Sequence, residues 1–302
     1  MTTPKMHKDE IDIDADLVRL LIAGQFPQWS KLALEHMSCA GTDNAMFRLG
    51  SDMAVRLPRH PRAARMMVKE QHWLPRIAPH LPLAIPVPLA QGVATDIYPF
   101  RWSVCPWLEG DNPTPDAMSD PCGMAHDLVG FILALRRIDT DGAPSPGVHN
   151  FWRGVPLAMR DRHTREAIEQ AKTVFDAGTV TAAWEADLQT PPWQGSPVWI
   201  HGDLSAGNLL VREDRLSAVI DFGGLGVGDP ACDLVVAWGL FAGRVRTAFR
   251  DALGVDAATW RRGRGWALST AIIGVAYYQD SNASLAAASR STIRAVLTDF
   301  GR

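Results

Sequence analysis

Cysteine is scarce in this chain, with 4 residues among 302, and no two of them form a C-x-x-C pair. No cluster of histidine and cysteine has the spacing of a zinc site. We therefore expect reduced, mostly buried thiols, as is usual for a cytosolic protein.

Long apolar runs are also missing. The longest, 266–278, is too short to span a bilayer and contains Ser269 and Thr270. The polar stretch 1–16 lacks the apolar core of a signal peptide. Together these features predict a cytoplasmic protein with no membrane partner.

Neither sign of charge dominates, since 30 Lys and Arg stand against 33 Asp and Glu, for a net charge of -3. Nucleic-acid-binding proteins usually carry a basic excess or stripe, so no nucleic-acid partner is predicted. The negative charge is too weak to indicate a cationic substrate. A content of 47% hydrophobic residues is ordinary for a globular protein, and the length leaves room for two lobes.

The first third of the chain has the pattern of a small sheet with one long helix. A short helix is predicted at 14–25 and the long helix at 62–78, where apolar residues recur at helical spacing. Strands are predicted at 32–38, 44–49, 53–57 and 97–108. A stretch rich in Gly, Asp and Pro at 109–115 predicts the exit from this lobe. We therefore divide the chain into residues 1–108 and 109–302.

The second part has a mostly helical pattern. Helices are predicted at 122–138, 162–177, 180–188, 230–241, 257–278 and 283–299. Three short strands are predicted at 198–200, 209–211 and 216–220.

The strongest motif is the run HGDLSAGN at 201–208, which lies between two apolar strands. A third short strand then leads into Asp221-Phe222-Gly223. Phosphoryl transfer to a hydroxyl needs a carboxylate to accept the proton and oxygen ligands for magnesium. We interpret Asp203 as the catalytic base and Asn208 and Asp221 as the metal ligands. An ordinary surface loop is the alternative, and the ordered pair of motifs argues against it.

A second signal lies in the first lobe. Glu70 falls within the apolar stripe of its helix, so a buried carboxylate there needs a cationic partner. Arg56 is the candidate, because it stands on the preceding strand between Val55 and Leu57. In kinases such a pair contacts the nucleotide phosphates, usually through Lys; Arg can bind phosphate in a bidentate way. Each residue alone could instead be an ordinary surface contact.

Weaker signals concern a turn, a helix start and a histidine. Gly41 and Asn44 lie where a nucleotide-covering loop would lie, although a plain hairpin turn is equally compatible. Asp229 before Pro230 predicts a helix cap. Asp233, in that first turn, could brace the catalytic loop.

His201 is interpreted as a structural residue that orients the loop. Three tryptophans could line a substrate pocket but are more often core: Trp152, Trp184 and Trp193.

These residues, in this order, resemble the aminoglycoside phosphotransferase family. The resemblance runs from about Leu32 to the end of the chain. It is carried most specifically by HGDxxxxN at 201–208 and by the blocks IDFG and GDPACDL at 220–234. Further matching stretches are GTDN at 41–44, VRLPR at 55–59, and WSV with WLEG at 102–110.

The resemblance implies an α+β, bilobal, protein-kinase-like fold with a hinge between the lobes at about 102–108. It also implies ATP or GTP with Mg2+ as cofactors and a hydroxyl group on a small molecule as the acceptor. Backbone groups around Ser103, Val104 and Cys105 would contact the base, although Pro106 contributes no N–H there. Members of the family act on aminoglycosides, macrolides, choline and sugars. The acceptor, the choice between ATP and GTP, a role in resistance and the oligomeric state therefore stay open.

Two other functions fit the sequence less well. A catalytically silent, kinase-like nucleotide-binding module would usually lack the base or a metal ligand, whereas Asp203, Asn208 and Asp221 are all present. A protein kinase would need an activation segment between Asp221 and Pro230, where there is almost no room.

Overall fold

The chain forms two compact units in this computed structural model, which describes residues 10–37, 43–114 and 118–301. The first unit comprises Met1–Glu109 with Ala218–Gly223, and the second comprises Gly110–Ser217 with Gly224–Arg302.

The first unit is built on a five-stranded antiparallel sheet. Its strands are β1 (Leu34–Met37), β2 (Asn44–Leu49), β3 (Met53–Pro58), β4 (Ala90–Gly92) and β5 (Trp102–Pro106), in the order β1-β2-β3-β5-β4. Strand β2 buries every second residue, as its alternating sequence predicts. The tight turn to β3 contains Gly50 in the left-handed region, with φ 63°.

Two helices flank this sheet in the sequence. Helix α1 (Ala15–Gln25) begins at Asp14, whose carboxylate accepts the N–H of Leu17 at 2.8 Å. Helix α2 (Pro61–Ile77) begins with Pro61 at its first position, and the His60 ring caps it. Apolar residues of α1 and the sheet form one buried core, which includes Val18, Leu21, Phe47, Val55, Trp102 and Val104.

The second unit is mostly helical. Its helices are α3 (Pro121–Arg136), α4 (Asp161–Gln170), α5 (Ala177–Leu188), α6 (Val236–Gly239), α7 (Gly243–Leu253), α8 (Ala257–Tyr278) and α9 (Ala283–Phe300). Helix α8 packs against α4, α5 and α9. It is apolar on several sides, with Trp266, Leu268 and Ile272 all buried, because it lies inside this bundle.

Four short strands lie around the HGDLSAGN and IDFG motifs. Strand β6 (Val198–Ile200) pairs antiparallel with β9 (Gly226–Gly228). Strands β7 (Leu209–Arg212) and β8 (Arg215–Val219) form a two-stranded sheet. The HGDLSAGN run therefore connects β6 to β7, as its flanking apolar residues predict.

Several boundaries differ from the predictions. The helix predicted at 162–177 ends at Gln170, and α5 begins at Ala177 because Asp176 caps it. The strand predicted at 97–108 is limited to Trp102–Pro106. The helix predicted at 230–241 is a 3₁₀ turn, Pro230–Val235, followed by the short α6. Strand β4 and helix α7 were not predicted.

Three cysteines lie within the described residues. Cys105, Cys122 and Cys232 are free thiols, and Cys39 lies outside the described residues. In the described ranges, no helix combines the length and apolar content needed to cross a membrane.

Asp229 and Arg262 form a buried ion pair that links the 3₁₀ turn to α8. Asp229 Oδ2 lies 2.7 Å from Arg262 Nε, and each side chain is only 3% exposed. Asp229→Ala leaves a buried guanidinium without its carboxylate, so we expect a loss of about 3–5 kcal/mol in the free energy of unfolding. The matched control is Asp16→Ala, which breaks an exposed pair with Arg19 and is expected to cost at most about 1 kcal/mol. Urea denaturation of both variants measures this; equal losses would contradict the expectation.

Candidate active site

The loop that follows β6 depends on a glycine. Gly202 has φ 82°, and a Cβ atom there would lie 2.3 Å from the carbonyl oxygen of Gly224. Because that contact is with backbone, no side chain fits at this position. The glycine thereby lets the chain turn sharply after Ile200 and present Asp203.

The carboxylate of Asp233 holds the start of this loop. It accepts the backbone N–H of His201 at 2.9 Å and that of Gly202 at 2.8 Å. Asp233 is completely buried, and burial raises the pKa of its carboxyl, while these hydrogen bonds and His201 act in the opposite direction. The predicted bracing role of Asp233 is therefore confirmed.

His201 is equally buried and has a local structural contact. Its Nδ1 accepts the backbone N–H of Asp203 at 3.2 Å. This contact orients the peptide that carries the Asp203 side chain, in agreement with the prediction that His201 is structural.

The Asp203 carboxylate is held from two sides. Asn208 Nδ2 donates to Asp203 Oδ2 at 3.1 Å and to its backbone carbonyl at 2.8 Å. Arg153 Nη2 lies 3.3 Å from Oδ1. The Asp203 side chain is nevertheless 45% exposed, so its oxygens keep capacity for a further donor such as a hydroxyl group.

In the first unit, Arg56 and Glu70 form the predicted ion pair. Arg56 Nη1 lies 2.6 Å from Glu70 Oε2, and their side chains are 9% and 3% exposed. Burial opposes the charge on Arg56, but Glu70 and more distant acidic groups outweigh it, so the pKa of Arg56 lies above its ordinary value. The guanidinium is thus a permanent cation with a fixed position.

Asp221 lies in the same unit, in a strained turn. Its φ is 61°, in the left-handed region, and its Oδ1 is 3.4 Å from the backbone nitrogen of Gly223. Asp221 favours the charged forms of both Arg56 and Lys69. The side chain is exposed, which leaves its carboxylate accessible to a cation.

Lys69 is a participant that the sequence interpretation missed. Its Nζ donates to the carbonyl oxygen of Gly223 at 2.8 Å, so helix α2 holds the turn that carries Asp221. Burial lowers the pKa of Lys69 to about 8, against the opposite influence of Glu70 and Asp221. In the sequence, the position of Lys69 directly before Glu70 is the one feature that could have indicated its involvement.

The residues predicted to contact the nucleotide base lie on strand β5. Ser103 and Val104 lie inside the sheet between β3 and β4, whereas Cys105 pairs with β3 only. Ser103 Oγ contacts Met67 and Gln71 of α2. Asn44 begins β2, and its buried Oδ1 has no hydrogen-bond donor among the described residues. Gly41 lies outside the described residues.

The fit of these residues to magnesium depends on their donor atoms. The amide nitrogen of Asn208 is engaged with Asp203, which leaves its carbonyl oxygen as the potential ligand. A carboxylate from Asp221 and an amide oxygen from Asn208 are ligands that Mg2+ accepts, and Mg2+ commonly uses few protein ligands together with phosphates. Asp221 belongs to the first unit and Asn208 to the second.

The fold is that of kinase-like phosphotransferases. Aminoglycoside 2'-phosphotransferase-IIIa in its GDP complex matches with a TM-score of 0.75 at 18% identity, covering 95% of this chain and 100% of that chain. Macrolide 2'-phosphotransferase MphH from Brachybacterium faecium matches with a TM-score of 0.63 at 22% identity, covering 93% and 98%. The predicted α+β, bilobal fold class is thereby confirmed.

A family model described as "Phosphotransferase enzyme family" matches residues 39–266. The chain belongs to this family, which confirms the predicted membership and the prediction of an enzyme. A stretch of 60 residues is 40% identical to an aminoglycoside 3'-phosphotransferase of Escherichia coli. That stretch covers 20% of this chain and 22% of the relative, so the match spans about a fifth of that protein.

The depressed pKa of Lys69 predicts a pH dependence of stability. The folded protein releases this proton near pH 8, but the unfolded chain does so near 10.5. Between these values the unfolded state binds more protons at Lys69, so this side chain alone contributes a rise of at most about 3 kcal/mol to the free energy of unfolding. The buried thiols of Cys105 and Cys232, whose pKa values burial raises, contribute a fall above about pH 9 that the parent and the Lys69 variant share. Lys69→Met should remove this rise.

Urea denaturation between pH 7.5 and 10.5 in metal-free buffer measures the effect. The control is Lys31→Met, which removes an exposed lysine and should retain the rise. Parallel curves for the parent and both variants would show that Lys69 titrates normally.

Proposed function

We propose that this protein transfers the γ-phosphoryl group of ATP or GTP to a hydroxyl group of a small molecule, with Asp203 as the catalytic base. The main support is the geometry of the Asp203 carboxylate. Asn208 and Arg153 hold it in place, yet the side chain stays 45% exposed. A positioned and accessible carboxylate is what proton removal from an alcohol requires.

The proposed step is an in-line displacement at the γ-phosphorus. The acceptor hydroxyl donates a hydrogen bond to Asp203, and its oxygen forms the new P–O bond as the bond to the β-phosphate oxygen breaks. The hydroxyl proton passes to the Asp203 carboxylate, and ADP or GDP leaves with the electron pair. Positioning and electrostatic stabilisation provide most of the acceleration in such reactions.

The cationic and metal-binding groups have separate roles. Arg56, fixed by Glu70, would contact the nucleotide phosphates. Asn208 and Asp221 would hold Mg2+, which neutralises phosphate charge when bound.

The nucleotide base would meet backbone groups in the stretch Ser103, Val104 and Cys105, with Asn44 and Gly41 on the covering loop. Ser103 and Val104 pair with both β3 and β4, whereas Cys105 pairs with β3 alone, so Cys105 is the residue of this stretch whose second edge is not taken up by β4. The lobe boundary is proposed at residues 108 and 109.

The family relatives indicate the kind of acceptor. Their names describe phosphotransferases for aminoglycosides and macrolides, and one matching structure is a complex with GDP and kanamycin. We therefore propose a small hydroxylated molecule as the substrate, aminoglycoside-like, macrolide-like or a metabolite.

Asp203→Asn tests the base. The amide keeps the shape but cannot accept the proton, so turnover should fall roughly 10²–10⁴-fold. The control is Asp251→Asn, which changes an exposed carboxylate of the same unit and should leave turnover unchanged. A coupled assay of nucleotide consumption against a panel of hydroxylated compounds gives the rates. Full activity of Asp203→Asn would refute the proposed mechanism.

Binding of Mg·ATP tests the nucleotide site independently of turnover. A ligand at 100 times its Kd stabilises the native state by about 3 kcal/mol, so the Tm of the parent should rise. Asp221→Asn should reduce this rise, since asparagine tolerates the left-handed φ but lacks the charge that holds the metal.

Asp214→Asn is the matched control, because Asp214 also has a left-handed φ, of 63°, and should keep the full rise. Thermal denaturation with and without Mg·ATP measures all three proteins. A Tm rise without transfer to any acceptor would indicate a silent nucleotide-binding module, and no rise at millimolar nucleotide would contradict the nucleotide site itself.

A further inference from the structure

Two neighbouring arginines lie in the second unit, and one of them contacts the proposed base. Arg153 reaches Asp203 Oδ1 at 3.3 Å with one guanidinium nitrogen and donates to Thr270 Oγ1 at 2.9 Å with another. The guanidinium carbons of Arg153 and Arg160 lie 5.9 and 4.6 Å from the centroid of the same ring, that of Trp266. A second cation, Arg160, therefore lies near the arginine that contacts Asp203.

Their charges are not balanced by the surrounding protein. Arg160 Nε donates to the neutral Ser269 Oγ at 2.9 Å, and among the described residues no carboxylate pairs with Arg160. In the part of the chain that the structure describes, Asp203 is the one carboxylate that pairs with Arg153, and the Nε atom of Arg153 is buried without a hydrogen-bond partner. Burial and the neighbouring Arg153 both lower the pKa of Arg160. Within the described residues, the two guanidinium groups thus have one carboxylate partner between them, that of Asp203 on Arg153.

The backbone before Arg153 is held in an uncommon conformation. Phe151 and Trp152 are consecutive residues with φ of 55° and 57°, in the left-handed region that non-glycine residues rarely adopt. The fully buried Asn150 fixes this turn, because its Oδ1 accepts the N–H of Gly147 at 2.9 Å and its Nδ2 donates to the carbonyl of Arg153 at 3.2 Å. Strain of this kind persists only where the surroundings impose it. Its effect here is to deliver Arg153 to Asp203.

A purely structural role accounts poorly for this pair. Apolar residues in place of buried charges are often neutral or stabilising, and two adjacent cations add repulsion to the cost of burial. Both arginines retain some exposure, 13% for the Arg153 side chain, so neither is closed off from solution. A ligand that brings negative charge would complete the set of ion pairs.

From this geometry we infer that Arg153 and Arg160 form an anion subsite beside Asp203, and that the acceptor is a hydroxyl compound carrying a carboxylate or phosphate group. The inference rests on the proposed function and narrows its substrate class. Arginine suits both groups, since its planar fork binds carboxylate and phosphate in a bidentate way. Polycationic acceptors are disfavoured, because two guanidinium groups repel them.

Four sugars that share one scaffold and differ in charge test the inference. Glucuronate and glucose 6-phosphate carry an anionic group, glucose is neutral and glucosamine is cationic; kanamycin serves as a polycation. Each is added at constant ionic strength to protein saturated with Mg·ADP, and the Tm and the apparent Kd are measured. We expect at least one anionic sugar to bind more tightly than glucose, and glucosamine and kanamycin to bind more weakly.

The variants assign the preference to the subsite. Arg160→Gln should weaken binding of the preferred anionic sugar by at least about tenfold, because a charge-assisted contact is lost. Arg160→Lys keeps the charge and should retain the order of preference, which guards against a fold defect in Arg160→Gln. Arg162→Gln, an exposed arginine two residues away, is the matched control and should bind like the parent.

Three outcomes would overturn the inference. No anionic sugar binds better than glucose, glucosamine or kanamycin binds more tightly than glucose, or Arg160→Gln keeps the parent's preference for the anionic sugar. The comparison of glucuronate with glucose 6-phosphate decides between a carboxylate and a phosphate. Failure of Mg·ADP alone to raise the Tm would count against the proposed function instead, and the sugar series is then read without nucleotide.

Discussion

The buried carboxylate of Asp233 fixes the loop on which the proposed chemistry depends. It binds the first two backbone N–H groups of the HGDLSAGN run, at His201 and Gly202. A buried carboxylate is costly unless it is fully hydrogen-bonded, so Asp233 and the loop require each other. His201 then orients Asp203 through its backbone N–H, and Asn208 closes the loop onto the same residue. Removal of the buried acceptor would therefore disturb every later contact in this chain of hydrogen bonds.

Much of the fold could be predicted from periodicity and capping. Strand β2 and helix α8 have the predicted bounds, because an alternating pattern and a capped apolar run are strong local signals. Strand β4 has three residues and depends on pairing with β5, so its sequence alone carries little information. Helix α7 begins with glycine, a weak helix former, and tertiary packing decides that it forms.

The candidate site likewise contains some contacts that the sequence predicts and others that it does not. The partnership of Arg56 and Glu70 could be predicted, since a carboxylate in an apolar stripe needs a nearby cation. The contact of Arg153 with Asp203 could not, because 50 residues separate them and no motif links them. Lys69 lies beside Glu70 in the sequence, yet its contact with Gly223 spans 154 residues. Local rules identify the residues that need partners, and the tertiary fold selects those partners.

Helix α2 connects two charge-bearing features of the first unit. Glu70 forms an ion pair with Arg56 on β3. Lys69, one residue earlier, donates a hydrogen bond to the carbonyl oxygen of Gly223 in the turn after Asp221. Because neighbouring residues of a helix move together, a shift of α2 would displace both Arg56, the proposed phosphate contact, and the turn that carries Asp221, the proposed metal ligand. The positions of both groups depend on this one helix, so a ligand that displaces it would disturb both proposed electrostatic roles in one movement.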